Sequence, residues 1–136
     1  MPWTLQAARR KPSTLGLSDG KLSACPNKPN CVSSQASKQS QQIDPFTYSD
    51  IGRRQEVCEI LLKLLDEDSA LTLATREENY VHAEARAMMF IDDIEFYLPQ
   101  NEPVVHVRSA SRLGRSDFGA NRRRVEALRE TFLSRL

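Results

Sequence analysis

The chain is short of several residue types on which whole classes of function depend. Among 136 residues there are two histidines, His82 and His106, and no tight local spacing of His, Cys, Asp or Glu. A metal site of two histidines and a carboxylate is possible in kind, but no ligand motif calls for one. There is no Gly-rich phosphate loop among the five glycines, so no nucleotide cofactor is implied. The serines near residue 110 lack the G-x-S-x-G setting of a hydrolase nucleophile. No apolar run approaches the length that crosses a bilayer, so no integral membrane segment is expected. Arg9, Arg10 and Lys11 are not followed by an apolar stretch, so no secretory or lipoprotein signal is read either. The expected location is the cytoplasm, with peripheral association with a membrane complex left open. A net charge of +1 gives no overall attraction to nucleic acid.

What charge there is clusters late in the chain. Val105 and Val107 alternate with His106 and Arg108, the period of a half-buried strand. A turn rich in Ser, Arg, Gly and Asp follows. From Asn121 the period changes, and Val125, Leu128 and Phe132 fall at helical spacing. Asp117 or Asn121 can cap that helix. Arg122, Arg123 and Arg124 in its first turn face the positive end of the helix dipole. They call for an acidic partner, from Asp117, Glu126, Asp92 or Asp93, or for a bound anion.

Residues 1–47 hold five of the seven prolines with many Ser, Gln, Asn and Lys, and their apolar residues have no period. They are expected as an extended arm with a Pro-pinned cysteine loop, packed on or tethered to a single domain at 48–136. Cys25 and Cys31 stand close enough in sequence to form a disulfide, with Cα atoms within about 7 Å; in a reducing compartment they would be thiols or a redox-sensitive pair. Cys58 is expected alone, as a buried and inert thiol.

Ser49 or Asp50 can open a first helix, on which Val57, Ile60, Leu61, Leu64 and Leu65 form one apolar stripe. Four strands are expected next, over 70–76, 80–88, 90–98 and 104–109, joined by short connections that favour an antiparallel meander. The fold class is therefore α+β: a four-stranded antiparallel meander with two helices packed on one face, in the order α-β-β-β-β-α, preceded by the arm. The alternation sends Val81, Ala83, Ala85, Ile94, Phe96, Val105 and Val107 to the helices. It sends His82, Glu84, Arg86, Asp93, Glu95, Tyr97, His106 and Arg108 to the opposite face.

That polar face is the main candidate site. It reads either as a solvated surface with cross-strand ion pairs or as a pocket closed over by the arm. In such a pocket a histidine could move a proton and arginines could hold an anion.

Five stretches carry a resemblance to a known family. They are L-G-L-S-D-G-K-L (15–22) with C-P-N-K-P-N-C-V-S-S (25–34), N-Y-V-H-A-E-A-R (79–86), F-I-D-D-I-E-F-Y (90–97), and the stretch from Val105 to Arg129 that contains S-A-S-R-L-G-R-S-D-F-G-A-N-R-R-R. Together, in this order, they resemble domain-of-unknown-function family 1499. The resemblance implies that the arm belongs to the family unit. It also points to Cys25, Cys31, His82, Glu84, Arg86, Asp93, Glu95, Arg108, Ser109, Ser111, Arg112, Asp117, Asn121 and Arg122 as positions matching the family pattern. It implies no reaction.

Two functions follow as expectations. The first is an accessory or binding domain that holds a small anion or a protein partner through Arg86, Asp93, Glu95, Arg108, Ser109, Ser111, Arg112, Asn121 and Arg122. The second is a small enzyme with His82 or His106 as general acid or base beside Glu84 or Asp93. In the basic turn, Arg108 is expected to be a structural ion-pair partner and Arg112 to face the ligand.

Overall fold

A computed structural model describes residues 11–136 apart from Met88. The basic residues Arg9 and Arg10, the first part of the arm and the end of the expected strand 80–88 lie outside the described residues.

Four short strands precede the first helix. They are β1 (Leu17–Ser18), β2 (Lys21–Leu22), β3 (Cys31–Ser33) and β4 (Phe46–Thr47). Helix α1 (Arg54–Glu67) follows a single 3-10 turn, Ile51–Arg53, whose first free N–H, on Gly52, is taken by the Asp50 carboxylate at 2.9 Å. Then come β5 (Leu71–Arg76), β6 (Tyr80–Ala87), β7 (Phe90–Tyr97), β8 (Val104–Ser111) and α2 (Ala120–Ser134). The class is α+β with antiparallel strands and two α-helices, as the periodicities imply. The element order and the sheet differ from expectation. The order is β-β-β-β-α-β-β-β-β-α, and the main sheet has six strands, not four.

The extra strands come from the segment read as an arm. The meander β5-β6-β7-β8 ends at β8, whose outer edge would be a row of open backbone groups. β3 covers Arg108 to Ala110 of that edge and β4 covers Val104 and Val105. Ser34 bridges the gap between them. Its N–H donates to the Val107 carbonyl at 2.8 Å, and its hydroxyl oxygen accepts the Val107 N–H at 2.9 Å. Strands of two or three residues show no alternation, which is why they read as arm. A separate hairpin, β1-β2, stands off the sheet.

The helices cover one face. Val57, Leu61, Leu64 and Leu65 of α1 and Val125, Leu128 and Phe132 of α2 meet Val81, Ala83, Ala85, Ile94, Phe96, Val105 and Val107 in one core. Ile60, the remaining member of the expected stripe, is only partly buried. Phe46 of β4 is fully buried there, its ring 5.7 Å from Phe96 and 5.2 Å from Phe132 between centroids. The Arg129 guanidinium lies 5.6 Å from the same ring. Among the described residues no helix is long and apolar enough to cross a membrane.

Cys25 and Cys31 are joined as a disulfide with Cα atoms 5.7 Å apart. Closing a loop of this size contributes about 2 kcal/mol through the unfolded chain. Such a bond persists in oxidising compartments. Cys58 is half-buried, and burial pushes its thiol above the ordinary value.

Replacing Phe46 by Ala is expected to cost about 3–5 kcal/mol, the range for a buried phenylalanine, measured by urea unfolding. In the parent protein, hydrogen exchange should show strong protection at the amides of Ser34 and Val107. Rapid exchange at Ser34 would mean that the edge is not closed as described.

Candidate functional site

The alternation along β6, β7 and β8 places the chemistry. Register pairs His82 with Glu95, Glu84 with Asp93, Glu95 with Arg108 and Tyr97 with His106, all on the face away from the helices. The middle of this face is not open to solvent. His82, Asp93, Glu95 and Arg108 are all buried, and Pro12, Thr14, Gly16, Ala24 and Pro26 from the first part of the chain lie against it. Charges enclosed in this way must be neutralised locally. Two groups of side chains do so.

The first group centres on Asp93. His82 Nε2 lies 2.6 Å from its Oδ1. Arg112 holds both carboxylate oxygens, Nε to Oδ2 and Nη2 to Oδ1, each at 2.8 Å. The same Nη2 donates to Glu84 at 2.7 Å, and Arg86 reaches Glu84 at 3.2 Å from the exposed side. Burial pushes the Asp93 carboxyl up, but the hydrogen bonds from Arg112 and His82 outweigh it and leave it below the usual carboxylate range. Glu84 is lowered too: burial opposes the shift, and Arg112 supplies most of what overcomes it. Arg112 is held above its ordinary value, chiefly by Asp93.

The second group centres on Glu95. It accepts the Gly16 N–H at 2.8 Å, the Tyr80 hydroxyl, and Arg108 Nη1 at 3.3 Å. Burial, and then the Glu95 carboxylate, push the Tyr80 phenol far above its ordinary value. Arg108 is thus paired with Glu95. Arg112, expected to face a ligand, has a side chain that is 2% exposed and shared between two carboxylates.

His106 is apart from His82. It faces the Tyr97 ring, and its Nδ1 lies 3.0 Å from the Ser34 hydroxyl; burial lowers its pKa. Among the described residues no group of three or more His, Cys, Asp or Glu side chains could hold a metal ion.

Ser109, Ser111 and Asn121 sit elsewhere, on the helix side of the sheet. The Ser109 hydroxyl donates to Asn121 Oδ1 at 2.6 Å. Asn121 Nδ2 donates to Ser111 Oγ at 3.0 Å and to Asp117 Oδ2 at 2.8 Å. Arg124 joins them and pairs with Asp92 at 2.8 Å. This bond supplies the acid that the arginine-rich first turn calls for. Asp117 caps α2 by accepting the N–H groups of Gly119 at 2.8 Å and Asn121 at 3.1 Å. Burial raises the Asp117 carboxyl, and these bonds, with the Asn121 side chain first, bring it below the ordinary value.

A cleft of about 550 Å3 opens between the cystine loop and the turn that leads into α2. Lys28, Lys38, Arg115 and Arg122 line it, and Asp117 is the only acid among its walls as far as the described residues go. None of these four cations pairs with a carboxylate among the described residues. The walls are tied together. Buried Gln41 donates to the carbonyls of Pro26 at 2.7 Å and Lys28 at 3.2 Å. Lys38 reaches Asn27 at 2.9 Å, and Arg122 reaches the Ser40 carbonyl at 3.1 Å. Of the expected site residues, Arg122 alone, with Cys31 of the disulfide, lines this cleft. Sequence reasoning missed Lys28, Lys38 and Arg115, which lie in three different segments; no local signal joins them.

The family described as protein of unknown function (DUF1499) matches residues 21–132, and the chain belongs to it. No curated protein and no solved structure matches the chain.

The buried charges make a pH prediction. Asp93 and Glu84 have folded pKa values below their unfolded ones, so the unfolded chain binds protons first as pH falls. Their contribution is complete above about pH 5 and is lost as pH drops through about 4 and below. Arg112→Ala, which removes the shared guanidinium and leaves Asp93 with His82 and Glu84 with the exposed Arg86, is expected to cost up to about 3–5 kcal/mol at pH 7. In urea unfolding at a series of pH values, the gap between parent and variant should narrow toward pH 3. A constant gap would show that Arg112 does not act through these carboxylates.

Proposed function

We propose that this member of the DUF1499 family is a non-catalytic binding domain that takes a small anionic ligand in the cleft between the cystine loop and the start of α2. The observation that carries the reading is the lining. Four cationic side chains without carboxylate partners among the described residues line one cavity, and the acid beside them, Asp117, is committed to capping the helix. Two guanidinium groups favour a planar or tetrahedral oxyanion, which they can engage through paired N–H donors. The disulfide, Gln41 and the Arg122–Ser40 bond hold the walls in place before a ligand arrives, which reduces the ordering cost of binding.

The polar sheet face supports this reading less well than the cleft does. Arg112 donates to Asp93 and Glu84 and Arg108 donates to Glu95 through Nη1, so the charges of the face are close to internally balanced, although the buried Nε of Arg108 has no partner among the described residues. An acid–base role for His82 has less support still, because the ring is 1% exposed and bound to Asp93. His106 has more access, but it makes no hydrogen bond to a carboxylate among the described residues: it contacts Tyr97 and Ser34, and Glu102 acts on it only through its charge, against the stronger effect of burial.

Phosphate, sulfate and citrate at millimolar concentration should raise the melting temperature of the parent protein. A ligand at ten times its Kd adds about 1.4 kcal/mol, a rise of roughly 2–5 °C for a domain of this size. The double variant Arg115→Ala/Arg122→Ala should keep the ligand-free stability within about 1 kcal/mol, because both side chains are at the surface, and should lose the rise. If none of the three anions shifts the parent, the anion reading is wrong.

A further inference from the structure

At the rim of this cleft stands Phe118, with its side chain 85% exposed. Its chain neighbours, Asp117 and Gly119, are both part of the cleft wall. The ring is not exposed because its segment is loose. Phe118 has φ +52° and Gly119 has φ +83°, and the first of these is a conformation that residues with a side chain rarely adopt. It is held by named bonds. The Phe118 N–H donates to Ser116 Oγ at 3.2 Å, and its carbonyl accepts from Arg123 Nη1 at 2.8 Å. The Asp117 carboxylate takes the next N–H, that of Gly119. Leu113, on the same turn, is also exposed. The fold thus keeps a bulky apolar ring in an unfavourable backbone conformation where it touches little of the protein. The cations Arg115, Arg122, Lys28 and Lys38 line the cleft whose wall includes its two chain neighbours.

We propose that this rim docks on an anionic phospholipid surface, with a lipid headgroup phosphate in the cleft and the Phe118 ring, with Leu113, in the interfacial layer. The proposal rests on reading the cleft as an anion site, and it names the anion. Cations that have no carboxylate partner among the described residues, in a cleft flanked by a projecting aromatic ring, match the two forces that hold peripheral proteins on membranes: attraction to acidic headgroups, and insertion of apolar groups at the boundary of the acyl chains. A single ring on an outward turn requires no shaped pocket in its partner. A protein interface of comparable strength centres on a packed cluster of anchors, and here there is one. Such docking is reversible and sensitive to salt, because one ring and a small basic patch are weak anchors.

The full chain is to be sedimented with vesicles of phosphatidylcholine alone and of phosphatidylcholine mixed with phosphatidylserine. Its melting temperature is to be followed in parallel with inorganic phosphate. The expected result is binding to the mixed vesicles only, reduced by added salt. Phe118→Gly relieves the strained φ, so it should leave the fold as stable as before or more so, keep the phosphate response, and weaken vesicle binding roughly tenfold, the order expected for part of one ring's burial. Arg115→Ala/Arg122→Ala should lose both responses. If phosphate shifts the melting temperature but the mixed vesicles are not bound, the cleft serves a soluble anion and membrane docking is overturned. Binding that Phe118→Gly does not weaken would be adsorption by charge alone and would equally overturn it. So would capture of a protein through Phe118 without any vesicle binding. If neither phosphate nor vesicles bind, the anion reading falls as well.

Discussion

Asp93 is enclosed in the protein and ionised, and the organisation of the polar side of the sheet follows from that. A buried carboxylate is costly unless its charge is balanced and its lone pairs are filled. Arg112 fills two positions from beyond the end of β8, and His82 fills one from the neighbouring strand. Arg112 then also holds Glu84, so one guanidinium fixes the start of the basic turn against the middle of the sheet. The direction in which the chain leaves β8 is set by this bond. The positions of Arg115, Asp117 and Phe118 therefore depend on it.

The two faces of the sheet solve different problems. On the helix side, apolar side chains from β6, β7 and β8 meet α1 and α2, and polarity is confined to the end where Ser109, Ser111, Asn121, Arg124 and Asp92 bond to one another. On the far side, charged residues meet the first part of the chain, which supplies backbone groups such as the Gly16 N–H to Glu95. An antiparallel sheet commonly leaves one face in water. This one covers it with irregular chain, and such a cover can satisfy buried charges where a helix, its backbone groups already paired, could not.

The main elements were legible in the sequence because period-2 and period-3.6 patterns survive over eight or more residues in β6, β7, β8 and both helices. The grouping of His82, Asp93, Glu95 and Arg108 on one face follows from the same alternation. What the pattern does not carry is enclosure. Nothing local distinguishes a solvated arginine from Arg112, whose partners lie 19 and 28 residues earlier. β3 and β4 were invisible for a related reason: two or three residues hold no period, and their pairing is dictated by the open edge of β8. The cleft was illegible because Lys28, Lys38 and Arg115 are assembled by the cystine loop, the short 3-10 turn Gln39–Gln41 that follows Lys38, and the basic turn. Ser109 and Ser111 belong with Val105 and Val107 in the alternation, and they share a face with α2 for that reason.

The closing of the β8 edge has a consequence for how the molecule is made. β3, Ser34 and β4 leave the ribosome well before the strand they pair with. Ser34 and Val107 are 73 residues apart. Contacts of such separation form slowly, because a long loop must be closed before any of its bonds are gained. The early segment therefore waits with its backbone groups unpaired while the meander assembles behind it. The Cys25–Cys31 ring spans only six positions and needs no other part of the fold. It can close during that wait and deliver to the finished sheet a segment already bent to the shape of its berth.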